Sequence, residues 1–246
     1  MVDIVDTTQL DKELSESVAN GGGLFCGVVE QAFAIDGVTY QWPRGSKLKW
    51  ALDSETMAKG YGQLKADDII SCIKQFLKNE FDANCDIQHE FVSNVSIANI
   101  ILTRHRHDGP SGVLADMQIP MNARTDSTQL IGRFDISENW VLAENPPAGT
   151  IDFERTCKHE WEHAMGLGHR PPSVTKPALI APLYSPTMRN LQKADIDELV
   201  RRYGTPQQAP TPPVGARKPV NYTNVVEIEQ NGLKWKGSVS GILSPV

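Results

Sequence analysis

The chain has 246 residues, 40% hydrophobic and 22% charged, with a formal net charge of -6. That suits a globular protein with one well-filled domain plus appendages, or two small domains. No basic block is available to neutralise phosphates, so nucleic acid and anionic membranes are not expected partners. No apolar run approaches the roughly 20 residues that span a bilayer. The start MVDIVDTTQLDKELSESVANGGG is acidic and polar, where a secretory leader needs a positive end and an apolar core, so nothing points to classical export. The compartment stays open.

Residues 1 to 25 lack apolar periodicity and end in Gly21-Gly22-Gly23, which reads as a loose lead-in. In KLKWALD, Leu48, Trp50 and Leu52 alternate with polar residues, the pattern of a half-buried strand. A helix is expected from about Lys65 to Phe81, with Ile69, Ile73, Phe76 and Leu77 on one face and Asp67 and Asp68 in the first turn. IANIILT, SGVLADMQI and QLIGRFD are further strand candidates. Phe153 to Met165 reads as a helix stopped near Gly166 and Gly168. LQKADIDELVRRYG is a last helix ending at Gly204. Then TPQQAPTPPVGARKP has the composition of a semi-rigid linker, and the alternation on both sides of Asn231-Gly232 signals a hairpin. The cysteines Cys26, Cys72, Cys85 and Cys157 are too scattered for a disulfide framework. Cys72 and Cys85 either pair or remain separate buried thiols.

The chemistry concentrates in HEWEHAMGLGH, residues 159 to 169. Residues four apart share a helix face, so His159 and His163 can aim both imidazoles at one point. Gly166 tolerates the backbone angles that end a helix sharply, letting the chain turn back and offer His169. Three protein ligands on Zn²⁺ leave a fourth position for water, the arrangement of a catalytic site. Glu160, next to the first ligand, can act as general base on the zinc-bound water and pass the proton to a leaving amine. The bland alternative is an amphipathic helix whose histidines are polar surface. HExxH alone is weak, but HExxHxxGxxH is the metzincin signature.

Beyond that helix the chain resembles the matrixins, the matrix-metalloproteinase branch of the metzincins, from about Leu48 to Gly204. DGPSGVLA (Asp108 to Ala115) resembles the family's DGPGGVLA, FDISENW (Phe134 to Trp140) its FDxxExW, and LQKADIDELVRRYG its closing helix. The resemblance implies an α+β, α/β-type sandwich of the zincin kind: a twisted mixed sheet, three helices and a zinc cleft. It implies a peptide-binding edge strand at Val113, Leu114 and Ala115, and a pocket lined by Pro182 and Tyr184. A Ca²⁺ site would draw on Asp108, Gly109, Ser111, Val113, Asp135 and Glu138, unless these are merely solvated turn groups. LIAPLY matches the family's LMxPxY and places Ile180 as the floor of the zinc site, with Met188 the alternative.

In the family's latent form a CGV tripeptide puts a thiolate on the zinc, and Cys26-Gly27-Val28 reproduces it. The usual surrounding prolines and arginine are absent from LFCGVVE, so a self-inhibitory Cys26 and an ordinary cysteine both stay open. Two positions that hold histidines of the family's structural zinc are Asp116 and Arg133 here, leaving His105 and His107 as a pair, and a second zinc is not expected. Glu162 replaces a usually small residue and could bond a ligand or face solvent.

The expected organisation is a propeptide-like segment at 1–45, a catalytic domain at 46–204, a linker at 205–219 and a hairpin at 220–246. The expected function is a monomeric zinc endopeptidase acting on protein or peptide substrates. A non-catalytic zinc-stabilised binding module and a zinc hydrolase with a non-protein substrate are the competing readings.

Overall fold

The computed structural model describes residues 24–27, 41–120, 129–170, 177–185 and 187–206, and the paired strands 220–230 and 233–243. Most of the expected segment 1–45 and the linker from 207 to 219 lie outside the described residues. The chain divides into two compact units, Met1–Gln207 and Gln208–Val246. The second contributes an antiparallel ribbon of β9 (Val220–Gln230) and β10 (Leu233–Leu243), with Gln230 opposite Leu233, while Asn231 and Gly232 lie outside the described residues.

The first unit is built on a six-stranded mixed sheet. Its strands are β1 (Phe25–Cys26), β2 (Lys47–Leu52), β3 (Gln88–Phe91), β4 (Ile100–His105), β5 (Val113–Met117) and β6 (Leu130–Asp135), in the order β1-β5-β6-β4-β2-β3. β5 runs antiparallel to β6, and every other pairing is parallel. The period of two decides which face is packed. Leu48, Trp50 and Leu52 of β2, Ile100 and Leu102 of β4, and Leu130 and Phe134 of β6 enter one large core. Ala51 and Ile101 turn the other way into a small cluster with Ala98.

The large core is closed by α1 (Ser54–Lys59), α2 (Ala66–Phe76), α3 (Phe153–Ala164) and α4 (Lys193–Tyr203), so four α-helices, not three, occur among the described residues. α1 escapes a periodicity search because six residues make under two turns. β3, reading QHEF, carries no apolar alternation. α2 covers the expected apolar stripe but continues as a π-turn over Leu77–Phe81, closed by Asp82 N donating to the Leu77 carbonyl at 2.8 Å. The extra residue buries both Leu77 and Phe81. Two short parallel strands, β7 (Trp140–Val141) and β8 (Ile151–Asp152), lead into α3.

α3 runs through the interior: every residue from Phe153 to Ala164 except Glu154 is buried. Asp152 caps its start, accepting from Glu154 N at 3.3 Å. At its end, where carbonyls lack helical partners, Trp42 Nε1 donates to Ala164 O (2.8 Å) and the Tyr203 hydroxyl to Met165 O (2.6 Å). The ammonium of Lys158, fully buried, is shared by Glu80 and Glu154 and also donates to Asn190 Oδ1 (2.9 Å). Trp161 packs edge-on against Trp50 and Phe76 and donates to His89 Nε2 at 3.1 Å. His89 Nδ1 must then carry the hydrogen that it donates to Asp82 at 2.6 Å.

Trp161→Ala should therefore cost about 3–5 kcal/mol. The check is a lowered denaturant midpoint with unchanged slope; a loss under ~1 kcal/mol would mean that α3 is held mainly by its ends.

Candidate metal centre

The expected ligands all come together. His159 and His163 lie one turn apart on α3. The helix stops at Met165, and Gly166 (φ 80°) reverses the chain, with its N–H on His163 O at 2.8 Å and Leu167 N on Glu162 O at 3.0 Å. The reversal delivers His169. It also aims the Leu167 carbonyl at His163 Nδ1 (2.8 Å), while the Leu179 carbonyl meets His159 Nδ1 (2.8 Å).

A carbonyl only accepts, so both Nδ1 atoms carry hydrogen and both Nε2 atoms present lone pairs. These converge with His169 Nε2, at 3.3 Å from His159 and 3.1 Å from His163. Converging lone pairs repel unless a cation sits among them. Burial, reinforced by the neighbouring imidazoles, holds His159 and His163 well below the usual histidine range, and burial alone draws His169 to about 4. All three are thus neutral imidazoles at pH 7, the form that binds metal.

The fourth corner is Cys26. Its Sγ lies 3.5 Å from His163 Nε2, and the four ligand atoms fall within 4.8 Å of one another. Zn–N bonds of roughly 2.0–2.1 Å and a Zn–S bond of about 2.3 Å give tetrahedral edges of roughly 3.3 Å (N···N) and 3.5–3.6 Å (N···S). The 3.3 and 3.1 Å N···N spacings from His169 and the 3.5 Å N···S spacing from His163 to Cys26 match such edges.

Cys26 is held from both sides. β1 pairs with β5, Cys26 opposite Ala115, and Gly27 N donates to Ala115 O at 2.8 Å. On the other flank Cys26 N donates to Pro182 O (3.2 Å) and Tyr184 N to Leu24 O (2.8 Å). A Cβ on Gly27 would come within 2.7 Å of the Val113 side chain, so glycine permits this close approach. The edge of Val113, Leu114 and Ala115 and the wall of Pro182 and Tyr184 thus face each other across the Cys26 segment.

Glu160 is fully buried beside this cluster, and the Cys26 thiol reaches its Oε2 at 3.6 Å. Burial pushes its carboxyl up to about 8, with Asp116 adding to the rise and the thiol and Arg155 opposing it. Glu162 neither bonds a ligand nor faces solvent. It is fully buried, and burial and then Asp195 hold it well above the usual carboxylate range. Asp195, also fully buried, accepts from Leu179 N (2.7 Å) and Gln192 N (2.8 Å), fixing the turn whose carbonyl orients His159. Ile180, the next residue, is fully buried in the same core, while Met188 packs against it partly exposed.

The oxygen groups assigned to calcium cluster at the 108–113 turn. Asp108 accepts from Val113 N (3.3 Å), Glu138 from Ser111 N (2.6 Å), and Asp135 from Ser137 N (2.7 Å) and His107 N (3.1 Å). Ser111 adopts φ 69° and Gly109 φ 101°. Burial raises Glu138, and the Asp135 and Asp108 carboxylates raise it further. Where the structural zinc of the family would sit, Arg133 pairs with Asp116 at 2.8 Å and His107 stacks edge-on against His105.

Sequence reasoning missed Arg155, one turn before His159 on the same face of α3, and Asp195. The four-residue spacing of Arg155 to His159 was the available signal; Asp195 is brought in only by the docking of α4.

Comparisons with known proteins agree with this geometry. The family profile for Matrixin matches residues 41–204, about two thirds of the chain. Metalloendoproteinase 1 of Glycine max is 33% identical over 103 residues, 39% of this chain and 30% of that protein. Matrix metalloproteinase-25 of Homo sapiens and of Mus musculus are each 32% identical over 105 residues, 42% of this chain and 18% and 16% of those proteins. The matches thus span less than a third of these relatives' own length. With the profile covering β2 to β6, α3 and α4, the chain belongs to the matrixin family.

Proposed function

We propose that the chain is a zinc-dependent endopeptidase held latent by Cys26. The observation that carries this is the convergence of three Nε2 atoms, the lone pairs of His159 and His163 fixed by backbone carbonyls, beside one buried carboxylate. Bound at His159, His163 and His169, Zn²⁺ would supply the Lewis acidity that polarises a scissile carbonyl and acidifies water.

Glu160 is the general base, and its protonation depends on residues 24–27. While they cover it, burial raises it to about 8 in the metal-free fold, disfavouring the carboxylate. Their departure admits water, ends that desolvation and frees the carboxylate to take a proton from the attacking water and return it to the leaving amine. The same departure releases Ala115 O, Pro182 O and Tyr184 N, which an extended peptide can use in place of residues 24–27. Latency and substrate binding thus compete for one groove. Asp108, Asp135 and Glu138 form the core of the calcium site, whose cation would relieve the mutual repulsion felt by Glu138. Ile180 acts as the apolar floor under His159.

Glu160→Gln should keep the metal and lose peptidase activity by several orders of magnitude; near-wild-type turnover of a fluorogenic peptide would remove Glu160 from the mechanism. Cys26→Ala should raise the activity of the full chain at least tenfold, read as initial rates with matched zinc content, and an unchanged rate would reduce Cys26 to a packing residue. A third test uses the chelated protein. Glu160 is raised in the fold, so the native state keeps a proton that the unfolded chain releases near 4.5. Stability from this residue is complete below about 4.5 and is lost as pH rises towards about 8. Across that window the stability of Glu160→Gln relative to wild type should climb, as followed by denaturant midpoints, and a flat difference would contradict the assigned shift.

A further inference from the structure

Arg155 is a buried cation that lacks an anionic partner. It is 4% exposed, yet among the described residues it forms no ion pair within 4.0 Å, and its Nε has no hydrogen-bond acceptor. The guanidinium lies over the Tyr184 ring, 4.4 Å from its centre, and spends one N–H on Leu183 O at 3.1 Å. The acidic residues nearest in sequence are engaged elsewhere. Asp152 pairs with Arg189 (2.6 Å), and Glu154 pairs with Lys158 and Arg189 (2.7 Å each). Glu160 and Glu162 act on Arg155 only through their field, from its own helix. Burial draws Arg155 down to about 10, so it stays charged at neutral pH. A guanidinium desolvated to this degree is ordinarily paired.

Arg155 also lines a small cavity of about 10 Å³, room for one water molecule. Leu114 and Pro182 form its walls, His159 and Glu160 its catalytic side, and Cys26 part of its cover. Withdrawal of Cys26 would enlarge this cavity, which the Arg155 side chain lines. A side chain entering here belongs to a residue adjoining the bond under attack, because the cavity touches both a metal ligand and the base.

Resting on the endopeptidase reading above, we infer that Arg155 makes this pocket selective for a carboxylate side chain, Asp or Glu, next to the scissile bond. A planar fork with unspent donors suits a carboxylate, and a long apolar side chain would leave the charge buried and unpaired.

The test uses the zinc-loaded full chain carrying Cys26→Ala and peptides that differ only in the residues flanking the scissile bond. A Glu-bearing peptide should exceed its Leu counterpart in kcat/KM by roughly thirtyfold or more. Arg155→Leu should abolish that ratio, and Arg155→Lys should retain part of it. Equal turnover, or preference for Leu in the parental chain, overturns the inference whether or not the Arg155 variants fold. Cleavage of no peptide contradicts the endopeptidase reading instead. Binding of the same peptides to the Cys26→Ala, Glu160→Gln chain then decides the inference alone: tighter binding of the Glu peptide supports it, and equal binding overturns it.

Discussion

Two backbone carbonyls organise this protein's chemistry. Leu179 O and Leu167 O each take the Nδ1 hydrogen of a histidine on α3, and that choice turns both Nε2 lone pairs inward towards His169. Lone pairs turned together in this way repel one another unless a cation sits among them. Much of the fold is arranged around keeping those carbonyls still. The Gly166 reversal places Leu167, Asp195 of α4 fixes the Leu179 turn, and Trp42 and Tyr203 close the carbonyls at the end of α3. The centre is therefore a product of helix termination as much as of helix formation.

The same economy governs access. The groove between β5 and the Pro182–Tyr184 segment has main-chain donors and acceptors on both flanks, and residues 24–27 engage both at once. The same short segment brings the Cys26 sulfur to within 3.5 Å of His163 Nε2 and within 3.6 Å of the buried Glu160 carboxyl. On the latent-endopeptidase proposal, removing that one segment would open the groove, the metal's fourth position and Glu160 together.

Much of this was legible in the residues. The convergence of the three histidines, the place of Glu160 beside them and the glycine reversal follow from HEWEHAMGLGH, and β2, β4, β5 and β6 announce themselves through alternation or branched apolar runs. What escaped has physical reasons. α1 is too short to show a period, and β3 pairs through its backbone with little apolar content. Glu162 and Asp195 are 33 residues apart, and only the docking of α4 against α3 makes them neighbours in the interior. Arg155 looks like a solvated face of a helix until the helix proves to be buried on nearly every side. A helix buried on nearly every side defeats the rule that charges mark the outside.

X-ray absorption at the zinc edge of the metal-loaded full chain tests this account most directly. Three Zn–N distances near 2.0–2.1 Å and one Zn–S distance near 2.3 Å are expected, with the sulfur shell lost in Cys26→Ala. A first shell of light atoms only in the unaltered chain, or a sulfur shell that survives the substitution, would contradict it.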